Sequence, residues 1–133
     1  MKNLLRLEEL AQFLLCLFAM ITGEIAWWAY VLLLLGPDIS MIGYLVSPKI
    51  GAFSYNLLHH KGVAVLLVAT GTYMNAVGLF QSDAWGGDVI LWTGIILYGH
   101  ASMDRIFGYG LEFGDNFHHT HLGWIGKLKG KVQ

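Results

Sequence analysis

Charge is what this chain has least of: 13% of its 133 residues are Asp, Glu, Lys or Arg, against 56% hydrophobic. A soluble domain carries about a quarter, so the shortage argues against a water-soluble fold and for a polytopic membrane protein. The length allows one domain, residues 1–133. A formal net charge of −1 gives no reason to expect nucleic acid. Cysteine is reduced to Cys16, which excludes an internal disulfide and a cysteine zinc cluster. Walker, Rossmann, nucleophile-elbow and His-Glu-x-x-His motifs are all missing, as are internal repeats and low-complexity stretches. The start of the chain has the two bases and the apolar stretch of a signal peptide. However, Glu8 and Glu9 interrupt it and no small-residue cleavage motif follows, which favours a retained first helix.

What is present is apolar and helical in length. Four segments approach the ~20 residues needed to cross a bilayer: about 7–22, 27–46, 50–73 and 88–109. The expected fold is therefore all-α, a four-helix transmembrane bundle with a tail from 110 to 133. Gly36-Pro37 must kink or break the second helix. Gly62 loosens the third, and a polar, Gly-rich connection runs from Asn75 to Asp88. Lys2, Arg6, Lys49, Lys127, Lys129 and Lys131 all fall on one side of such a bundle, while Glu24, Asp83 and Asp88 fall on the other. That bias places both termini in the cytoplasm of a bacterial inner membrane. Trp27, Trp28 and Trp85 then lie near the outer interface and Trp124 near the inner one.

This orientation gathers the ionisable groups in the inner half. His100 and Asp104 are one helical turn apart on one face of the fourth segment, where a buried carboxylate costs at least about 2.5 kcal/mol. His59 lies on the inner part of the third segment, and His121 on a tail short enough to fold back. Imidazole and carboxylate suit a first-row divalent ion, zinc first, and a catalytic zinc needs three protein ligands plus water. His59, His100, Asp104 and His121 are the expected ligands. Asp38, or Glu8 of the Glu8/Glu9 pair, is expected just outside them as an orienting group or general base, and Arg105 as the partner of a substrate phosphate or carboxylate. Each has a plainer reading too. The glutamates suit a helix N-terminus, and Asp38 can cap a helix restarting after the break. Tyr44, Tyr55 and Asn56 can line the cavity or simply pack helices.

The stretches RLEEL (6–10), PDISMIGYL (37–45), YNLLH (55–59), HASMDRIFGYGLEF (100–113) and THLG (120–123) resemble the small bacterial membrane proteins grouped as domain of unknown function 4260. The resemblance spans nearly the whole chain and puts Glu8, Asp38, Asn56, His59, His100, Asp104, Arg105 and His121 on motif positions. His60, His118 and His119 fall outside them. More distantly, His-x-x-x-Asp followed by Gly-Tyr-Gly is similar to inner-membrane metal-dependent hydrolases described as LexA-binding. Their His-Arg-x-x-x-His-Ser block is absent here, and His59 replaces only part of it. The family itself implies no activity; the residues favour a metal-dependent hydrolase acting on a lipid, isoprenoid-like or other membrane-dissolved substrate. Three rivals stay open: a metal-free isomerase or cyclase using Asp38 and Asp104, a proton or metal-ion transporter, and a haem-binding subunit using His59 and His100. Homo-oligomerisation is undetermined at this level.

Overall fold

The structure, a computed structural model, describes residues 2–79, 86–116 and 118–125. Asp83, Trp85, Lys127, Lys129 and Lys131 lie outside the described residues. The described chain is all-α with a minute hairpin at its end. In order come α1 (Lys2–Thr22), α2 (Trp27–Leu35), a 3₁₀ helix (Pro37–Leu45), α3 (Pro48–His59), α4 (Lys61–Ala76), α5 (Gly87–Phe107), β1 (His119–Thr120) and β2 (Gly123–Trp124).

The helix α5 is the axis of the fold. Along α1, Arg6 approaches Gly108, Cys16 approaches Gly99, and Gly23 meets Trp92, so α1 and α5 are antiparallel. Along α4, Ala64 meets Gly94 and Gly71 meets Leu91, so α4 is antiparallel to α5 as well. The α4–α5 contact is backbone against backbone. A Cβ at Gly71 would lie 2.4 Å from the Leu91 nitrogen, and one at Gly94 2.7 Å from the Ala64 oxygen. Only glycine permits that approach, as in helix pairs that associate through small residues. On the other flank Met20, Ala29 and Leu33 form a core with Phe13, Leu17, Trp92, Ile95 and Ile96.

Two breaks divide what would otherwise be longer helices. The first is the expected one: α2 and the 3₁₀ helix are bent by 41° across Gly36, where Pro37 supplies no N–H and its ring crowds the preceding turn. Nine residues is long for a 3₁₀ helix, and side chains support it. Ser40 Oγ donates to the Pro37 carbonyl at 2.6 Å, and Ser54 Oγ of α3 donates to the Ser40 carbonyl at 2.8 Å. A short turn follows. Ser47 Oγ accepts the Ile50 N–H at 3.2 Å, and Pro48 occupies the first helical turn, where a missing N–H costs nothing.

The second break corrects the single third helix expected over 50–73. His60 is extended (φ −85°, ψ 110°) and separates α3 from α4. Its ring Nδ1 accepts the Gly62 N–H at 3.1 Å, so the histidine itself caps α4. Three polar residues followed by glycine, His59 to Gly62, leave little to hold one helix together there. The halves then choose different partners: α3 packs on the 3₁₀ helix and α4 on α5.

Among the described residues no single helix is long and apolar enough to cross a membrane, although the bent pair of α2 and the 3₁₀ helix is so by length and composition. Gly108 ends α5 in the left-handed region (φ 95°), with its own N–H and that of Tyr109 on the last carbonyls. The tail then folds back. Asn56 of α3 holds it by two hydrogen bonds, Nδ2–H to the Glu112 carbonyl at 2.8 Å and Oδ1 from the Glu112 N–H at 2.7 Å. The antiparallel strands pair His119 with Trp124 and Thr120 with Gly123. The Thr120–Gly123 block is thus the hairpin turn, closed by Thr120 Oγ1 on the Gly123 carbonyl with Gly123 at φ +112°.

Candidate metal centre

Both breaks meet α5 at one place. Asp38 stands one residue past Pro37, His59 is the last residue of α3, and His100 and Asp104 project from one face of α5. His100 is wholly buried and His59 is 3% exposed. Their orientation follows from backbone carbonyls. In an α-helix the Leu33 carbonyl would accept from residue 37, but Pro37 has no N–H. That orphaned oxygen instead lies 2.8 Å from His100 Nδ1. His59 Nδ1 is likewise 2.8 Å from the Tyr55 carbonyl, one turn back on α3. A carbonyl only accepts, so both Nδ1 atoms carry hydrogen and both neutral rings present an Nε2 lone pair to the interior.

Those lone pairs face two carboxylates. His100 Nε2 lies 3.3 Å from Asp38 Oδ1 and 3.8 Å from Asp104 Oδ2, and His59 Nε2 lies 3.6 Å and 3.4 Å from the same two atoms. His59 Nε2 is buried without a hydrogen-bond partner. One ligand atom from each of the four residues lies within 4.8 Å of every other. Around an ion at bond lengths of ~2.0–2.2 Å, tetrahedral ligands stand ~3.4 Å apart, which is where the four nitrogen–oxygen separations cluster. Two imidazole nitrogens and two carboxylates directed at one point form a donor set that suits a cation, and a carbonyl on Nδ1 is a usual support of a metal-binding histidine. Tyr55 completes the surroundings. Its hydroxyl donates to Asp104 Oδ2 at 2.8 Å and its ring stacks on His59 at 3.7 Å. The Asp38 side chain, 38% exposed, is the open side of the group.

The expected ligands are therefore only partly those brought together. His59, His100 and Asp104 converge, and Asp38 joins them as a fourth instead of standing outside. His121 does not join. Its Nδ1 accepts the Leu111 N–H at 2.8 Å and its ring lies against Gly110, because the tail that carries it is drawn into the hairpin. Glu8 lies on the exposed side of α1, away from the group. Glu9 is the inward member of that pair, bonded to Lys61 and 3.7 Å from Arg105. Helical spacing held the signal: Glu9, Cys16 and Met20 share a face with Gln12 and Phe13, whereas Glu8 is turned about 100° from Glu9. Lys61 also donates to Gln12 Oε1 at 2.5 Å, which Tyr98 shares at 2.8 Å. Sequence reasoning had singled out none of these three. The haem reading fails on geometry, since the His59 and His100 rings are 4.9 Å apart and leave no space for a macrocycle. His119 belongs to the surface, paired with Asp115 at 2.8 Å and stacked on Trp124.

A helical protein in which two buried histidines converge with two part-buried carboxylates is the class that fold and site define. The chain belongs to the family described as domain of unknown function (DUF4260), whose profile matches residues 2–125. No curated protein and no solved structure matches it.

Proposed function

We propose that this protein is a metal-dependent hydrolase of the bacterial inner membrane, acting from the cytoplasmic side on a lipid or another membrane-dissolved substrate. The observation that carries the reading is the convergence of His59, His100, Asp38 and Asp104 with both Nε2 lone pairs turned inward. His59, His100 and Asp104 would hold one divalent ion, zinc first, with Asp38 at its open side, and the ion's charge would make bound water acidic enough to react at neutral pH. The chain's own groups do the rest. The carbonyls of Leu33 and Tyr55 keep the imidazoles in the coordinating tautomer, and the Tyr55 hydroxyl holds Asp104 in place. Asp38, the open member, is placed to take up a proton from water arriving at that side.

The membrane assignment draws on the surface. Among the described residues nine apolar side chains are buried, while thirty-two large ones are exposed, Leu15, Phe18, Leu35, Leu45 and Phe53 among them. A water-soluble monomer rarely exposes so many large apolar side chains for so small a buried core. Lys2 and Arg6 on α1, Lys49 in the first turn of α3 and Arg105 near the end of α5 gather at the end of the fold that also holds the tail: Arg6 lies beside Gly108 and Lys49 beside Gly114. That grouping supports a four-pass bundle with this end in the cytoplasm.

The test is metal analysis of the full chain purified in a neutral detergent. The expected result is about one divalent ion per chain in the wild type, with none retained by His100→Ala. A wild-type protein that takes up no zinc, manganese, iron or cobalt on reconstitution would refute the reading. Asp38 and Asp104 would then be left for the acid–base chemistry of an isomerase or cyclase.

A further inference from the structure

Beside the centre lies a cleft of about 570 Å³ whose walls the hydrolase reading does not use. It opens between the first turns of α1, the end of α5 and the hairpin. Lys2, Arg6 and Arg105 line it with one carboxylate, Glu9. Glu9 is already bonded to Lys61, so the lining carries a surplus of positive charge. Among the described residues neither Lys2 nor Arg6 has an ion-pair partner. The other walls include His121 and four exposed apolar side chains, Leu5, Phe107, Leu122 and Trp124. Arg105 also lines the small gap that contains His59 and Asp104, so it forms a wall common to cleft and centre.

We propose that this cleft binds the phosphate headgroup of a membrane amphiphile, with Arg6, Arg105 and Lys2 around the phosphate and the first carbons of the chain against Phe107 and Trp124. Two guanidinium forks and an ammonium match a group with several acceptor oxygens and up to two negative charges better than a single carboxylate. The apolar walls beside the cations favour an amphiphile over a free anion. Binding in the cleft stands by itself; only the identification of this ligand as substrate rests on the hydrolase reading.

The test uses the full chain in dodecyl maltoside, titrated with dioctanoyl phosphatidic acid, with inorganic phosphate and with dioctanoylglycerol, and followed by thermophoresis. Saturable binding of the phosphatidic acid is expected, with the other two probes at least ~10-fold weaker. Arg6→Gln, at an exposed position without an ion pair among the described residues, should weaken it ~10-fold, the scale of one lost charge-assisted contact. Lys2→Gln should weaken it less. Arg6→Gln should keep the wild-type metal content. Inorganic phosphate binding as tightly as the amphiphile would overturn the proposal, as would full affinity in Arg6→Gln. A wild type that binds the amphiphile but no metal would remove the hydrolase reading and leave the cleft standing.

Discussion

The chemistry of this protein depends on which atom of each side chain is left free. His59 and His100 each have one ring nitrogen engaged by a carbonyl, and the remaining pair of nitrogens meets two carboxylates. Tyr55 supports that arrangement without belonging to it, donating to Asp104. Tyr55→Phe keeps the ring stacked on His59 but removes the hydroxyl. It is expected to lower metal affinity by ~10–100-fold, the usual effect of losing a ligand's supporting hydrogen bond, measured by competition with a chromogenic chelator. Unchanged affinity would mean that Asp104 does not bind the ion. A second residue-scale prediction concerns Glu112, which is 5% exposed and accepts from the Tyr44 hydroxyl. Burial pushes its carboxyl from 4.5 up to about 7. Between those values the folded chain holds a proton that the unfolded chain has released. Its stabilising contribution is therefore complete below 4.5 and declines as pH rises through about 7. Protection of the amides around Glu112, taken relative to the intrinsic exchange rate at each pH, should fall across that window, and Glu112→Gln should flatten the dependence. A variant with the wild-type pH profile would show that another group is responsible.

Among the elements, the two breaks matter more than the long helices. The break at Gly36-Pro37 could be read from composition, because proline disrupts a helix wherever it falls in the interior. Its consequence could not. The oxygen that Pro37 leaves unbonded belongs to Leu33, and that oxygen orients His100 on a different helix. Pro37→Ala would supply an N–H to compete for it. The expected outcome is a straighter α2, partial release of the His100 ring and about 10-fold weaker metal binding, in the range for a lost supporting contact. Isothermal titration alongside circular dichroism checks both parts, and wild-type affinity in a folded Pro37→Ala would detach the break from the site. The break at His60 was legible only as a weakness near Gly62. That His60 caps α4 depends on α3 turning away to pack on the 3₁₀ helix, a pairing between segments that no local signal encodes.

At the scale of the whole molecule, the fold places a polar centre and a cationic cleft near one end of a largely apolar surface. Tags at both termini should be reached from the cytoplasmic side of spheroplast membranes, since the bases of α1, of the first turn of α3 and of the end of α5 share that end. Either tag found outside would overturn the orientation and the assignment of the cleft to the cytoplasmic face. By itself the sequence determined the all-α class, the break at Gly36-Pro37 and the pairing of His100 with Asp104. Each of these depends on local quantities: apolar run length, the chemistry of proline and the 3.6-residue repeat. The remaining members of the centre were decided by tertiary structure. Asp38 and His59 reach it because two interrupted helices both end against α5, and Glu9 rather than Glu8 faces inward because of how α1 is rotated. His121 is drawn away because Asn56 and the Thr120–Gly123 turn hold the tail elsewhere. Those outcomes are set by packing between residues distant in sequence, where the free energy depends on what each element meets rather than on what it contains.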